Sequence, residues 1–387
     1  MAIPLKYNFG SMLIRKVSTI MTAFSIALVV FIFVSVMALA GGLETALVSS
    51  GEPQNLLVLR RGSGSELSSG VPRSALQVIK YLPGMETNSS GEPQVSAEVF
   101  AIINLPKDAE GKIANIAIRG VSPAGMSLRP RLRLVEGRVF QPGLRELIVS
   151  RTISQRFPLA ALGNTLRLGK AEWKVVGIFE AGNTSFDSEI WADVNQVADD
   201  FNYQSYSSVL LRARDEAALG NIRNRIEADR SNNLMALRES EFYEKQTWAA
   251  APIKLLGMFI AVVMGTGACF AAMNTMYSAV SYRTREIATL RVLGFKRRSI
   301  LLSFLMESML VALTGGILGC LLTLPINRIT TGTTNLQTFS ELAFAFRTSP
   351  LLLAVGITFA ALIGLMGGYF PARQASRQTP AAALRKT

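Results

Sequence analysis

Histidine is absent from all 387 residues, and cysteine occurs only twice, at Cys269 and Cys320. The first absence removes histidine acid–base catalysis, Ser-His-Asp triads and most zinc-hydrolase ligand sets. The second leaves the long segment 44–252 without a disulfide framework. Both thiols sit in apolar runs and read as small packing residues. A nucleotide-binding loop is missing too. The stretch from Gly163 to Gly169, Lys170 and Ala171 is one residue too long for one, and Ala171 stands where a Ser or Thr would hold magnesium. It reads as a turn between strands. No metal-ligand spacing, nucleophile elbow or pair of carboxylates within an apolar run occurs, so the polypeptide is expected to be no enzyme and to hold no cofactor or metal itself.

Apolar sequence is abundant instead. The chain is 49% hydrophobic with a mean hydropathy of +0.31. A bilayer core of about 30 Å needs about 20 apolar residues in a helix, and four runs are long enough: 20–43, 253–282, 300–326 and 350–370. Ala38-Leu39-Ala40 has the look of a signal-peptide cleavage site, but the run before it is longer than a signal core, and an anchor is expected. The expected fold class is an α-helical membrane protein: four transmembrane helices plus an α+β extracytoplasmic domain, 44–252, between helices 1 and 2.

Charge supports this division. Residues 44–250 hold 24 basic and 24 acidic side chains, so the whole +13 lies in the apolar part and its flanks. Lys6, Arg15 and Lys16 precede the first run. Arg283, Arg285, Arg291, Lys296, Arg297 and Arg298 lie between the second and third, and Arg373, Arg377, Arg385 and Lys386 follow the fourth. Basic residues near helix ends mark the cytoplasmic side. The segment 1–19, the loop 283–299 and the tail 371–387 are thus expected inside, and the domain 44–252 and a short loop 327–349 outside. Clustering at membrane edges also argues against nucleic acid as the partner of the excess charge.

The domain alternates strand and helix signals. Strands are expected at 55–59, within 94–121, at 146–150, in 165–169 and 173–179, and at 208–212, with 187–191 following the last pair of β runs. Helices are expected at 72–82, 151–157, 193–201 and 216–229. This is a mixed α+β fold of one or two subdomains. Residues 240–252 can continue into the second span as one long helix.

The informative cytoplasmic segment runs from Tyr282 to Ile300. A short helix is expected from Thr284 to Leu293, stopped by Gly294, with Ile287, Leu290 and Leu293 on one apolar stripe and Arg283 three residues from Glu286. Such a helix suits a membrane surface, with its arginines on headgroups, and equally the groove of a cytoplasmic partner. Glu307 is the one acid inside a span, a placement that marks function by default. It serves either structurally, reaching back to Arg297 or Arg298 as an ion-pair partner or capping a neighbouring helix, or directly in the mechanism. Gly315 with Gly319 and Gly364 with Gly368 permit close helix approach, in a dimer or within one bundle.

The loop resembles the signature of the FtsX/MacB-type ABC-transporter permeases: Arg283, Arg285, Glu286, Ile287, then Leu290, Arg291, Leu293, Gly294, then Glu307 in the next helix. The ending Pro371-Ala372-Arg373, Ala375, Pro380 and Ala383-Leu384-Arg385 is similar to that family's. So are Glu136 to Phe140, the ELIVS run at Glu146, the Gly163–Gly169 turn, Val175 to Ile178 and Asp187 to Trp191 in the domain. The resemblance implies a dimer of permeases on two copies of a cytoplasmic ATPase that binds ATP and magnesium. It also implies a coupling helix carrying Arg285, Glu286, Ile287, Leu290, Arg291 and Gly294, and in some cases a periplasmic adaptor. It is compatible with export, with mechanical signalling to an envelope hydrolase or sensor, and with lipoprotein extraction. If the topology is right, a Ser63→Cys chain reacts with a membrane-impermeant thiol reagent in intact cells or spheroplasts; protection until the membrane is opened would invert it.

Overall fold

The computed structural model describes residues 16–107, 113–335 and 338–378. The basic residues Lys6 and Arg15 and the ending motif from Pro380 to Arg385 lie outside the described residues. In chain order the elements are α1 (Lys16–Val48), β1 (Asn55–Arg60), α2 (Arg73–Lys80), β2 (Val95–Pro106), β3 (Ile113–Val121), β4 (Arg133–Gly137) and β5 (Glu146–Ser150). Then come α3 (Arg151–Arg156), β6 (Thr165–Leu168), β7 (Ala171–Glu180), β8 (Glu189–Asp193), α4 (Val194–Asp200), β9 (Ser208–Arg212), α5 (Glu216–Ala228), β10 (Leu234–Arg238) and α6 (Glu239–Gln246). The last are α7 (Ala251–Tyr282), α8 (Thr284–Val292), α9 (Arg297–Thr323), β11 (Thr330–Thr334), β12 (Glu341–Ala345) and α10 (Pro350–Arg377).

Four helices are long and apolar enough to cross a membrane: Lys16–Val48, Glu239–Tyr282, Arg297–Arg328 and Pro350–Arg377. They contain the four runs expected from hydropathy, and the second is one continuous 44-residue helix. The chain divides into two compact units. One is a bundle of α1 and α7–α10, whose centre is formed by Ile26, Val30 and Val34 of α1, Ala268 of α7, Ala312 and Cys320 of α9, and Ala360 and Ile363 of α10. The other is the α+β domain, residues 43–249 together with 330–345.

That last segment corrects the expected short loop at 327–349. Thr330–Thr334 and Glu341–Ala345 pair as an antiparallel ribbon, with Thr330 opposite Ala345 and Thr334 opposite Glu341, and both strands belong to the α+β unit. Threonine-rich TTGTT and apolar ELAFA are strand-forming sequences, and Leu342, Ala343 and Phe344 are buried.

The domain is built on one ten-stranded sheet, ordered β10-β1-β9-β2-β3-β8-β5-β7-β4, with β6 paired to β7. It is therefore one sheet rather than two separate subdomains. Pairs β3–β8 and β5–β7 are parallel and the others antiparallel. Helices start where side chains cap them: Ser150 before α3, Asp193 before α4 and Asp215 before α5 each accept from backbone N–H groups of the first turn.

Strand periodicity sorts the two faces of the sheet. Val95, Ala97, Val99, Ala101 and Ile103 of β2, Ile116 and Ile118 of β3, and Val209 and Leu211 of β9 join one apolar core with α2, α4 and α5. The intervening residues place a buried layer of charge on the opposite side. Arg119 bonds Glu66, Glu98 and Glu189 at 2.7–2.8 Å. Arg129 bonds Glu98 at 2.7 Å and Glu239 at 3.1 Å. The arginine planes lie over Phe100, Phe186 and Trp191.

Burial works against these arginines' charge, but the surrounding glutamates outweigh it and hold both guanidiniums above their ordinary range. Burial also opposes ionisation of Glu66, yet Arg119 reverses the balance and keeps its carboxyl low. Burial dominates at Glu239 and raises it, despite Arg129 and the Asn55 amide at 2.8 Å. A lowered acid stabilises the fold above its unfolded value, and that contribution is lost as pH falls through the folded one. A raised acid contributes fully below its unfolded value and loses the contribution as pH rises through the folded one. Glu98→Gln, which removes the charge shared by both arginines, should therefore destabilise the domain by about 3–5 kcal/mol. Glu239→Gln should cost far less and flatten the loss of stability as pH rises above the ordinary carboxylate range. Thermal unfolding of the full chain in detergent across pH measures both; equal losses would refute the unequal roles.

Candidate coupling site and intramembrane ion pair

The second span ends at Tyr282, and the chain turns at Arg283 into α8. Thr284 Oγ1 donates back to Ser281 O at 2.9 Å, and Ile287 N donates to Arg283 O at 2.9 Å, so the corner is tightly hydrogen-bonded. At the other end α8 closes through Phe295 N to Leu290 O at 3.1 Å and Arg291 Nη1 to Phe295 O at 3.2 Å. Gly294 has φ +91°, the left-handed conformation a helix stop uses, and lies where the sequence places the stop.

The residues expected to meet a partner divide between two faces. Ile287 is buried with Met276, Val280, Ile300, Phe304, Ala372 and Ala375, so it fastens α8 to the bundle. Leu290 and Arg291 are half-buried. Arg285, Glu286 and Gly294 are exposed, as is Leu293 at 67%. Ile287 and Leu293 thus do not share one exposed stripe. The outward face is Arg285, Glu286, Thr289, Val292 and Leu293. Val292, also 67% exposed, was not among the expected contacts, although its sequence position beside Leu293 offered a signal.

Glu307 is buried, and its partner is Arg283: Arg283 Nη1 to Glu307 Oε2 is 2.9 Å. This corrects the expected partners Arg297 and Arg298, both exposed at the start of α9. They sit about 13–15 Å back along the same helix at 1.5 Å per residue, whereas Arg283 reaches across from the end of α7. The guanidinium also meets Glu286 at 3.5 Å and lies over the Phe304 ring. Thr22 of α1 and Thr275 of α7 share a 2.8 Å hydrogen bond and, with Glu307 and Ser308, line a cavity of about 30 Å³.

The glycines pack inside this bundle. A Cβ on Gly315 would fall 2.5 Å from Ala23 O, and one on Gly319 would fall 2.6 Å from Ala27 O, so α9 lies directly on the α1 backbone. At Gly364 a Cβ would meet Ala312 at 2.5 Å, and at Gly368 it would meet Ser308 at 2.6 Å. Ser308 Oγ donates to Gly364 O at 2.7 Å. Of the two uses open from sequence, these four positions serve contacts within the chain.

Two family models match this chain: an FtsX-like permease C-terminal region over residues 258–380, and a MacB-like periplasmic core domain over residues 19–229. The chain belongs to the MacB/FtsX-like permease family. Similar curated proteins include the macrolide export ATP-binding/permease protein MacB of Acinetobacter baylyi, 27% identical over 97% of this chain and 58% of that protein. The protein of the same name from Brucella abortus is 26% identical over 95% of this chain and 57% of its own length. The chain thus spans a little over half the length of these relatives. Among solved structures, the periplasmic region of MacB from Actinobacillus actinomycetemcomitans aligns with TM-score 0.39 and 12% identity over 52% of this chain and 94% of that one. The extracellular domain of the noncanonic ABC-type transporter YknZ from Gram-positive bacteria aligns at 0.37 and 14%, over 47% and 99%. The family's C-terminal permease region contains α8, Arg283 and Glu307 together.

A buried ion pair is most sensitive to loss of one partner. Arg283→Met or Glu307→Met alone should lower the thermal stability of the solubilised chain more than the two changes together, by about 3 kcal/mol for the worse single variant. Additive losses in the double-mutant cycle would show that the two side chains act independently.

Proposed function

We propose that this chain is the membrane-spanning subunit of an ATP-driven exporter, moved by a separate cytoplasmic ABC ATPase that docks on α8. The observation that carries the reading is the two-sided build of that helix. Ile287 and the Arg283–Glu307 pair brace it from within, while Arg285, Glu286, Thr289, Val292 and Leu293 face outward. A charged and apolar face on a braced helix can receive force rather than only bind. The names of the relatives pair ATP-binding with permease activity, which favours an ATPase as the partner, with ATP and magnesium held on it.

In this reading the permease works as a pair of copies, with both termini and α8 in the cytosol and the α+β domain outside, where an adaptor can meet it. The bundle favours a moving lever over a pore. Its helices touch backbone to backbone at Gly315 and Gly319, and its centre is Ile, Val and Ala. Substrate is then expelled from the outer leaflet or periplasm by motion of the α+β domain.

Glu286→Lys reverses the charge at the outward face while leaving Ile287 and Glu307 in place. In reconstituted complexes it should lower export by at least about tenfold, the loss expected for a desolvated interface charge, while membrane insertion persists and ATP is still hydrolysed. Undiminished coupling in this variant would remove α8 as the docking element.

A further inference from the structure

The chain passes between the bundle and the α+β unit on either side of residues 43–249 and again on either side of residues 330–345, and the second excursion is not obvious from the chain's order. Helices α1 and α7 lead into that unit directly. The connection between α9 and α10 also contributes to it, because residues 330–345 belong to that unit while Arg297–Thr323 and Pro350–Arg377 belong to the bundle. A ribbon of two five-residue strands has too little surface to be stable alone, so what holds it is its docking.

That docking is specific. Ser188 Oγ accepts from Ala343 N at 2.6 Å and donates to Ala343 O at 3.2 Å, replacing a strand partner for β12. Arg156 of α3 pairs with Glu341. Asn115 Nδ2 of β3 donates to Phe339 O at 3.1 Å, and Asn335 Nδ2 donates to Gln246 Oε1 of α6 at 3.4 Å. Leu342, Ala343 and Phe344 are buried beneath these contacts. The ribbon also roofs a polar cavity of about 40 Å³ whose walls include Glu66, Arg119 and Glu189. Ser188 is followed directly by Glu189, which holds Arg119.

We propose that the 330–345 ribbon is a force-bearing strap that ties α9 and α10 to the α+β domain, with Ser188, Arg156 and Asn115 as its anchor points. The proposal rests on the ATP-driven reading above and adds a route to it. α8 is followed by α9 after four residues, α9 leads to the strap, and the strap grips the 185–188 turn beside the buried charge layer. Displacement of α8 then reaches the domain through its sheet face and not only through the roots of α1 and α7.

The test uses the full chain with its ATPase in nanodiscs, with Cys269 and Cys320 replaced by alanine. A fluorophore on a Val78→Cys site, exposed on α2, reports ATP-dependent change in the domain. In a parallel chain, Leu342→Cys reports docking by its resistance to a thiol reagent. Ser188→Ala with Glu341→Arg should free the strap by removing one anchor and setting two arginines together; adding Arg156→Glu should restore the pair. We expect position 342 to become reactive, the ATP-dependent signal at position 78 to fall about tenfold while hydrolysis continues, and the third change to recover both. A reactive position 342 with an unchanged signal at 78 would overturn the strap and leave the ATP-driven reading standing. So would a position 342 that stays protected in the freed variant. No ATP-dependent signal at 78 in the chain with its strap intact would overturn the ATP-driven reading itself.

Discussion

A carboxylate among apolar helices must be held by a cation, and the corner of this bundle is organised by that requirement. Glu307 takes Arg283 from the end of α7, and Arg283 is the residue on which the chain turns into α8. The ion pair therefore fixes where the outward-facing helix begins and which way it points. Burial makes the pair demanding: either charge left alone in such a place is far less favourable than both together. Ile287 completes the brace from the other side of the helix. Elsewhere in the bundle the helices approach closely through glycine contacts between α9 and α1 and between α10 and α9. In lipid, where apolar surfaces gain little by leaving the solvent, such close packing is what holds helices together.

The α+β domain solves a different problem. Its sheet is covered on both faces, yet one face carries two arginines and four glutamates where an ordinary core would carry leucines. Charge is tolerated there because every guanidinium is surrounded by carboxylates and stacked on aromatic rings. Acid is in excess, and burial raises Glu239 within that excess. A layer of this kind holds strands in one register, since each salt bridge needs its partner at a set position.

Together these features are what the proposed transmission of displacement would draw on. The bundle is closely packed, its helices meeting at glycines and around a centre of Ile, Val and Ala. The domain is built on a single continuous sheet. The strands Thr330–Thr334 and Glu341–Ala345 belong to the α+β unit although they lie between two helices of the bundle in the chain.

Local patterns carried much of this in the residue order. Four apolar runs, a neutral segment between the first two, and basic clusters at helix ends are one-dimensional features, and they specified the spans, the inserted domain and the position of α8 with its stop at Gly294. Strand alternation gave most of the sheet, including Ser208–Arg212 to the residue. What remained hidden depended on contacts between distant positions. Arg283 and not Arg297 meets Glu307, because reach across a helix corner is set by packing and not by spacing along one helix. Ile287 turns inward while Leu293 turns outward, because a nine-residue helix has no fixed rotation until its neighbours choose one. The 330–345 segment reads as a loop because two five-residue strands carry little signal and acquire their structure from the surface that receives them. Residue order alone determined the division between membrane and domain, because hydropathy and charge act locally; tertiary structure alone decided the charge pairs and the strap, because burial selects partners only once the chain has been brought together.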